Sequence, residues 1–161
     1  MTTSSASQSS SEAYDVRNLH ILIVDDDAMT LDLIAGLLQS MGVSKITCAK
    51  SGAEAFVILS TPGRVVDCVL CDFSMANGNG LQLLQAVRLG QAKFLRPDAC
   101  FVLLTASGAP ETVSIAAQLD VSGYLRKPAT PDKIRTAIAK ARGRAIRLNH
   151  SKYAQMVIPD A

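Results

Sequence analysis

The chain has 161 residues, 48% of them hydrophobic, no tryptophan, and a formal charge of +2 from 16 basic and 14 acidic side chains. That length suits one domain that buries an aliphatic core without staples. No apolar run approaches the ~20 residues that span a bilayer, and the opening MTTSSASQSSSEAYD lacks the basic flank and apolar stretch of a signal peptide. These features argue against membrane insertion and secretion and for a cytoplasmic protein.

Residues 1–17 are rich in Ser and Thr and poor in apolar side chains, which predicts a disordered tail. Residues 21–24 then read as a buried strand, and 28–41 as a helix with Leu31, Ile34, Leu38 and Met41 at three- and four-residue spacing. Gly42 stands where a helix C-cap favours glycine. A short strand at 45–48 and a helix over about 52–60 follow, closed by Thr61, Pro62 and Gly63. The third strand is 68–71, and the loop DFSMANGNG leads into a helix over 81–88. A polar connector, 89–98, precedes the fourth strand at 100–104; a helix at 110–119 and a short strand at 123–125 come next. Pro131 fits a first helical turn, and the last helix is predicted to run to about 147, with Ile134, Ala137, Ile138, Ala141 and Ala145 on one face. Residues after Asn149 read as a tail.

Strands alternating with helices imply a doubly wound parallel α/β sheet with helices on both faces and right-handed crossovers. Such sheets carry their sites at the carboxyl ends of the strands. Strand one ends in Asp25, Asp26 and Asp27, strand three in Asp72, strand four in Thr105, and strand five in Arg126, Lys127 and Pro128. Carboxylates that crowded disfavour one another's ionised form unless a cation sits among them. The two histidines, His20 and His150, lie at a strand start and in the tail, so no Ser-His-Asp set forms. No Gly-rich phosphate loop follows the first strand. Cys68 and Cys71 have CxxC spacing inside the apolar run VVDCVLC with no second pair; together with Cys48 and Cys100 they read as small apolar residues in a reducing compartment rather than metal or redox ligands.

The motifs VDD, CDFSMANGNG, LLTAS and YLRKP, in that order and at successive strand ends, resemble the receiver domain of two-component response regulators. The resemblance covers 18–146 and leaves 1–17 and 147–161 as tails. It implies a flavodoxin-like five-stranded sheet in the order 2-1-3-4-5. It also implies transfer of a phosphoryl group from a sensor histidine kinase or a histidine phosphotransfer protein to an aspartate. Matching the family's motif, Asp72 is the phosphoacceptor and Lys127 the cation that offsets its charge. The resemblance further implies Mg²⁺, with carboxylate oxygens from Asp26 and Asp72, the backbone carbonyl of Ser74, and Asp25 acting through a bound water. Asp27 falls outside the acidic pair and reads as the cap of the first helix. Thr105 and Tyr124 read as the switch that alters the face of helix four, strand five and helix five, for a downstream protein target or a homodimer. Ala106 leaves access to the pocket open. Ala76 stands where many members have proline, and Ser74 and Ser107 occupy positions that tune the lifetime of the acyl phosphate. Such a domain catalyses its own Mg²⁺-dependent phosphorylation and dephosphorylation and is not a metabolic enzyme.

Three other readings stay open. A receiver-like scaffold would carry the fold without phosphotransfer. The chain could also be the receiver portion of a longer regulator, since the ~15 residues after the last helix are too few to bury a core of their own. Nine of the 16 basic residues fall between Arg126 and Lys152 with Asp132 the only acid among them, a distribution that could touch nucleic acid but reads first as a solvated helix face.

Overall fold

A computed structural model describes residues 14–63, 65–75, 78–106 and 110–159. The expectations for residues 1–13, Ala76 and Ser107 therefore fall outside the described residues. In chain order the elements are β1 (His20–Val24), α1 (Ala28–Ser40), β2 (Lys45–Ala49), α2 (Gly52–Leu59), β3 (Cys68–Asp72), α3 (Gly80–Arg88), β4 (Cys100–Thr105), α4 (Pro110–Gln118), β5 (Gly123–Arg126), α5 (Pro131–Arg142) and α6 (His150–Gln155). Between β3 and α3, Ser74–Met75 pairs antiparallel with Gly78–Asn79 in a two-residue ribbon.

The five strands form one parallel sheet in the order 2-1-3-4-5, as expected. Burial explains the order. β1 (HILIV) and β3 (CVLCD) are buried at every position, which requires helices over both faces and neighbours on both edges. β2 and β5 each bury a single position, Ala49 and Leu125, leave the rest exposed or half-buried, and lie at the edges. Register aligns the carboxyl ends: Val24 pairs with Ala49 and Cys71, Asp72 with Leu104, and Thr105 with Arg126.

Two apolar clusters cover the sheet. One joins Ile21, Ile23, Leu70, Val102 and Leu104 to Leu31, Ile34 and Leu38 of α1 and Ile134 and Ile138 of α5. The other joins Leu22, Val69, Phe101 and Leu103 to side chains of α2, α3 and α4, and to Tyr153 of α6. Each fully buried Leu or Ile contributes roughly 1.5–3 kcal/mol. Local signals set the helix starts. Asp27, Ser51, Asn79 and Thr130 each accept a backbone N–H as N-caps, and Pro131 opens the first turn of α5. Gly42, at φ +91, ends α1 in the conformation that favours glycine.

Three expectations need correction. Val16, placed in the disordered tail, is buried at 2% exposure in the α1/α5 cluster, with Tyr14 packed against it. α5 stops at Arg142, short of the expected 147, because the chain turns away at Gly143 and leaves Ala145 exposed. The tail after Asn149 contains a helix, α6, because Tyr153 has an apolar pocket to fill and is 0% exposed.

Candidate functional site

The carboxyl edge of the sheet brings acids and a lysine together by simple strand geometry. The ladder runs one residue past each strand: Asp25 N–H donates to Ala49 O at 3.1 Å, Phe73 N–H to Leu104 O at 2.9 Å, and Lys127 N–H to Thr105 O at 2.9 Å. Asp25, Asp72 and Lys127 are thus held by backbone pairing rather than by flexible loops. The Lys127–Pro128 peptide is cis.

Lys127 Nζ lies 2.7 Å from Asp72 Oδ1 and 3.2 Å from Asp25 Oδ2. Asp25 is 2% exposed and also accepts the Asp27 N–H on Oδ1 at 2.9 Å. Asp72 is 7% exposed and Asp26 is exposed. Carboxylate oxygens of Asp25, Asp26 and Asp72 all lie within 4.8 Å of one another. Burial raises the Asp72 carboxyl above its ordinary value, and the charges of Asp25 and Asp26 add to this while Lys127 opposes it. For Lys127, burial works against the charged form, but the bonds and charges of Asp72 and Asp25 outweigh it and hold the ammonium more firmly protonated.

Asp27 turns out of this group. Its side chain accepts the Met29 N–H at 3.4 Å and the Thr30 hydroxyl at 2.7 Å, the capping role expected of it. Thr105 is half-buried at the end of β4, and Ala106 beside it is exposed. Tyr124 stands apart from the acids, 37% exposed, with its hydroxyl donating to Val113 O of α4 at 3.0 Å. Ser74 lies two residues beyond Asp72 in the ribbon that leads to α3. The expected site residues Asp25, Asp26, Asp72 and Lys127 meet in one group; Thr105, Ser74 and Tyr124 border it or face the neighbouring helix.

Sequence reading missed Asn79 and Gly80. Gly80 N–H donates to Phe73 O at 2.8 Å, folding the loop back on the strand. A Cβ on Gly80 would lie 2.7 Å from Asp72 O and 2.9 Å from Leu103 Cδ2, so only glycine fits. An Asn-Gly pair ahead of a helix carried that signal, but nothing local says which backbone the glycine must approach.

The donor set is all oxygen and fits a hard divalent cation. Three carboxyl groups crowd around one ammonium, an arrangement whose negative charge such an ion would balance. The sulfurs stand elsewhere. Cys68 and Cys100 meet at 2.9 Å near the amino ends of β3 and β4, and burial holds the Cys71 thiol well above its ordinary value.

The profile of the response regulator receiver domain matches residues 21–139. The chain belongs to the response regulator receiver family. This receiver is 34% identical over 120 residues to a probable chemotaxis protein CheY of Rhizobium etli, spanning 74% of this chain and 89% of that one. It is 36% identical over 120 residues to the alginate biosynthesis transcriptional regulatory protein AlgB of Pseudomonas putida, but spans only 25% of that protein. Among solved structures, a receiver domain protein of Clostridium thermocellum superposes with a TM-score of 0.67 at 26% identity, over 78% of this chain and 94% of that one. Receivers accept a phosphoryl group on an aspartate, typically bind Mg²⁺ at acidic residues, and interact with histidine kinases and downstream targets. Among the described residues, no helix is long and apolar enough to cross a membrane.

Proposed function

We propose that Asp72 is the phosphoacceptor of this receiver. The observation that supports it is the 2.7 Å contact of Lys127 Nζ with Asp72 Oδ1, inside a group of three carboxylates, at the end of a fully buried strand. The donor is a phosphohistidine on a sensor kinase or a histidine phosphotransfer protein in the same cytoplasmic compartment. An Asp72 carboxylate oxygen attacks phosphorus, the P–O bond forms as the P–N bond breaks, and the imidazole leaves with the electron pair and takes up a proton. Phosphoryl transfer asks little of a protein beyond positioning and charge neutralisation. β3 positions Asp72, and Lys127, released in part from Asp25, follows the growing negative charge. Asp26, Asp72 and the Ser74 carbonyl would hold Mg²⁺, with Asp25 acting through water. The bound ion would supply the positive charge that one lysine cannot.

Thr105 and Tyr124 form the switch in this reading. A phosphoryl group adds about −1.5 to −2 charge and three acceptors, enough to draw the Thr105 hydroxyl toward Asp72. Tyr124 then gives up its bond to Val113 and turns inward, changing the α4–β5–α5 face presented to a downstream protein or a second copy.

Incubation of the full chain with Mg²⁺ and acetyl phosphate should add one phosphoryl mass to the wild type and none to Asp72→Asn. Equal labelling of the variant would remove Asp72 from its role. Absence of labelling together with absence of Mg²⁺ binding would favour the scaffold reading.

A further inference from the structure

After α5 the chain crosses to the opposite face of the sheet and lies along α3 as a strap. Apolar and polar grips hold it. Tyr153 is 0% exposed among the side chains of α2, α3 and α4, with Met156 and Ile158 packed against the same cluster. The Tyr153 hydroxyl donates to Asp120, and Lys152 Nζ pairs with the same carboxylate at 3.6 Å. Gln85 Nε2, from the middle of α3, donates to Tyr153 O and Met156 O, each at 2.9 Å. Asn79 Nδ2 donates to Pro159 O at 2.7 Å. Three backbone carbonyls of the segment accept donors from one edge of α3, the way a groove holds a bound peptide.

Both ends of the strap reach functional ground. Asn79 caps α3 through its side-chain oxygen, which accepts Gln82 N–H at 3.1 Å. Its neighbour Gly80 bonds Phe73 O, next to Asp72. Pro159 is thereby linked to the Asp72 loop through two hydrogen bonds and one peptide unit. At the other end Asp120, held at φ 54, forms the turn between α4 and β5 and leads directly to Tyr124. The strap spans the loop that carries Asp72 and the turn that feeds Tyr124.

We propose that residues 150–159 are an intrachain ligand of the α3–α4 face whose docking is coupled to phosphorylation: the docked strap favours the unphosphorylated arrangement and loosens when Asp72 carries a phosphoryl group. This inference rests on Asp72 being the phosphoacceptor. Its grips need Asn79 and Asp120 at one fixed separation, because Tyr153 has a single pocket and Gln85 a single reach. A rearrangement of the Asp72 loop passes through the Gly80–Phe73 bond to Asn79, and a movement of α4 passes to Asp120. Either one misaligns a grip. Coupling of this kind is reciprocal, so weakening the strap must favour the phosphorylated arrangement.

The test uses the full chain with Mg²⁺ and beryllofluoride, a stable stand-in for the phosphoryl group, with binding followed by ¹⁹F NMR. Amide hydrogen exchange of residues 150–159 should rise about fivefold or more when beryllofluoride is bound. Gln85→Ala removes two grips without opening the core and should bind beryllofluoride several-fold tighter than wild type. A chain ending at Asn149 should behave likewise if it folds. Bound beryllofluoride with unchanged exchange over 150–159, or unchanged affinity in Gln85→Ala, overturns the coupling and leaves Asp72 untouched. No beryllofluoride signal in the wild type removes the Asp72 assignment, and the coupling with it.

Discussion

Arg88 ends α3 with its guanidinium in the interior, 1% exposed. It donates to Leu119 O and Asp120 O from Nε, to Pro97 O and Ala99 O at 2.8 Å from Nη1, and to Asp120 O at 2.7 Å and Ser122 Oγ at 3.2 Å from Nη2. Burial lowers its affinity for the proton, yet a guanidinium keeps its charge under any ordinary condition. The five donors replace the water that the β4 entrance and the α4–β5 turn would otherwise need. Arg88→Ala strips donors from four carbonyls, on buried Leu119 and half-buried Pro97, Ala99 and Asp120, at about 1–3 kcal/mol for each that water does not reach; with partial rehydration, a loss above about 3 kcal/mol is expected in urea unfolding. A loss below about 1 kcal/mol would mean that water takes over those carbonyls. Asp27 was legible at this scale because a cap has a local signature; Lys127, by itself an ordinary exposed lysine, stood out only through Pro128 beside it, its place at a strand end and the family resemblance. Arg88 was not: an arginine in the last turn of a helix reads as a solvated cation beside the helix dipole, and its partners lie 9 to 34 residues away in sequence.

Among the elements, α3 carries the strongest constraint, since its first residue touches β3 at Asp72, the proposed phosphoacceptor. The predicted start at 81 missed Gly80 by one residue, within the ordinary uncertainty of helix ends. That residue is the one that matters. Gly80→Ala would set a Cβ against Asp72 O, which belongs to a paired strand and cannot yield, and against the tip of Leu103, which can. The strain should cost about 1–3 kcal/mol and shift the Asp72 backbone. Stopped-flow phosphorylation with acetyl phosphate should then fall about tenfold or more, because positioning supplies most of the catalysis here. A variant that keeps the wild-type rate would show that the Asp72 loop absorbs the change. The five sheet strands and the helix starts marked by Asp27 and Pro131 were readable because apolar runs and helix-start residues are local. The ribbon at 74–75 and 78–79 and helix α6 were not. The first is too short to show a period. The second is six residues long and polar apart from Ala154 and Tyr153, which meets its pocket.

At the scale of the whole molecule, the two apolar clusters make the sheet a plate held from both sides, with the carboxyl edge left for chemistry. The uneven distribution of charge then takes on a different meaning from the one a linear reading allows. The basic stretch from Arg126 to Lys152 reads in sequence as a patch that could meet nucleic acid. The fold disperses it. Lys127 faces the carboxylates at one edge, and Arg142 Nη1 reaches Asp67 O at 3.1 Å near the opposite edge. Arg144 Nη1 donates to Val121 O at 3.2 Å, and Lys152 pairs with Asp120 at 3.6 Å on the α3–α4 face. Arg135 pairs with Asp132 one helical turn away at 3.4 Å. Phosphate backbones are bound by several cations on one surface that release counterions together, which makes affinity fall steeply with salt. Cations already shared with backbone carbonyls and carboxylates on three sides of the domain offer no such surface; of the others, Arg126 and Lys140 share one depression with Lys133 and Asp132, three cations beside an acid. The protein should therefore show no retention on duplex DNA near physiological ionic strength, and the weak retention expected at low salt should have a log–log slope of about −3 or shallower. A slope as steep as about −4 would require four or more of these cations to act together. The dispersal seen in the fold would then not describe the protein in solution.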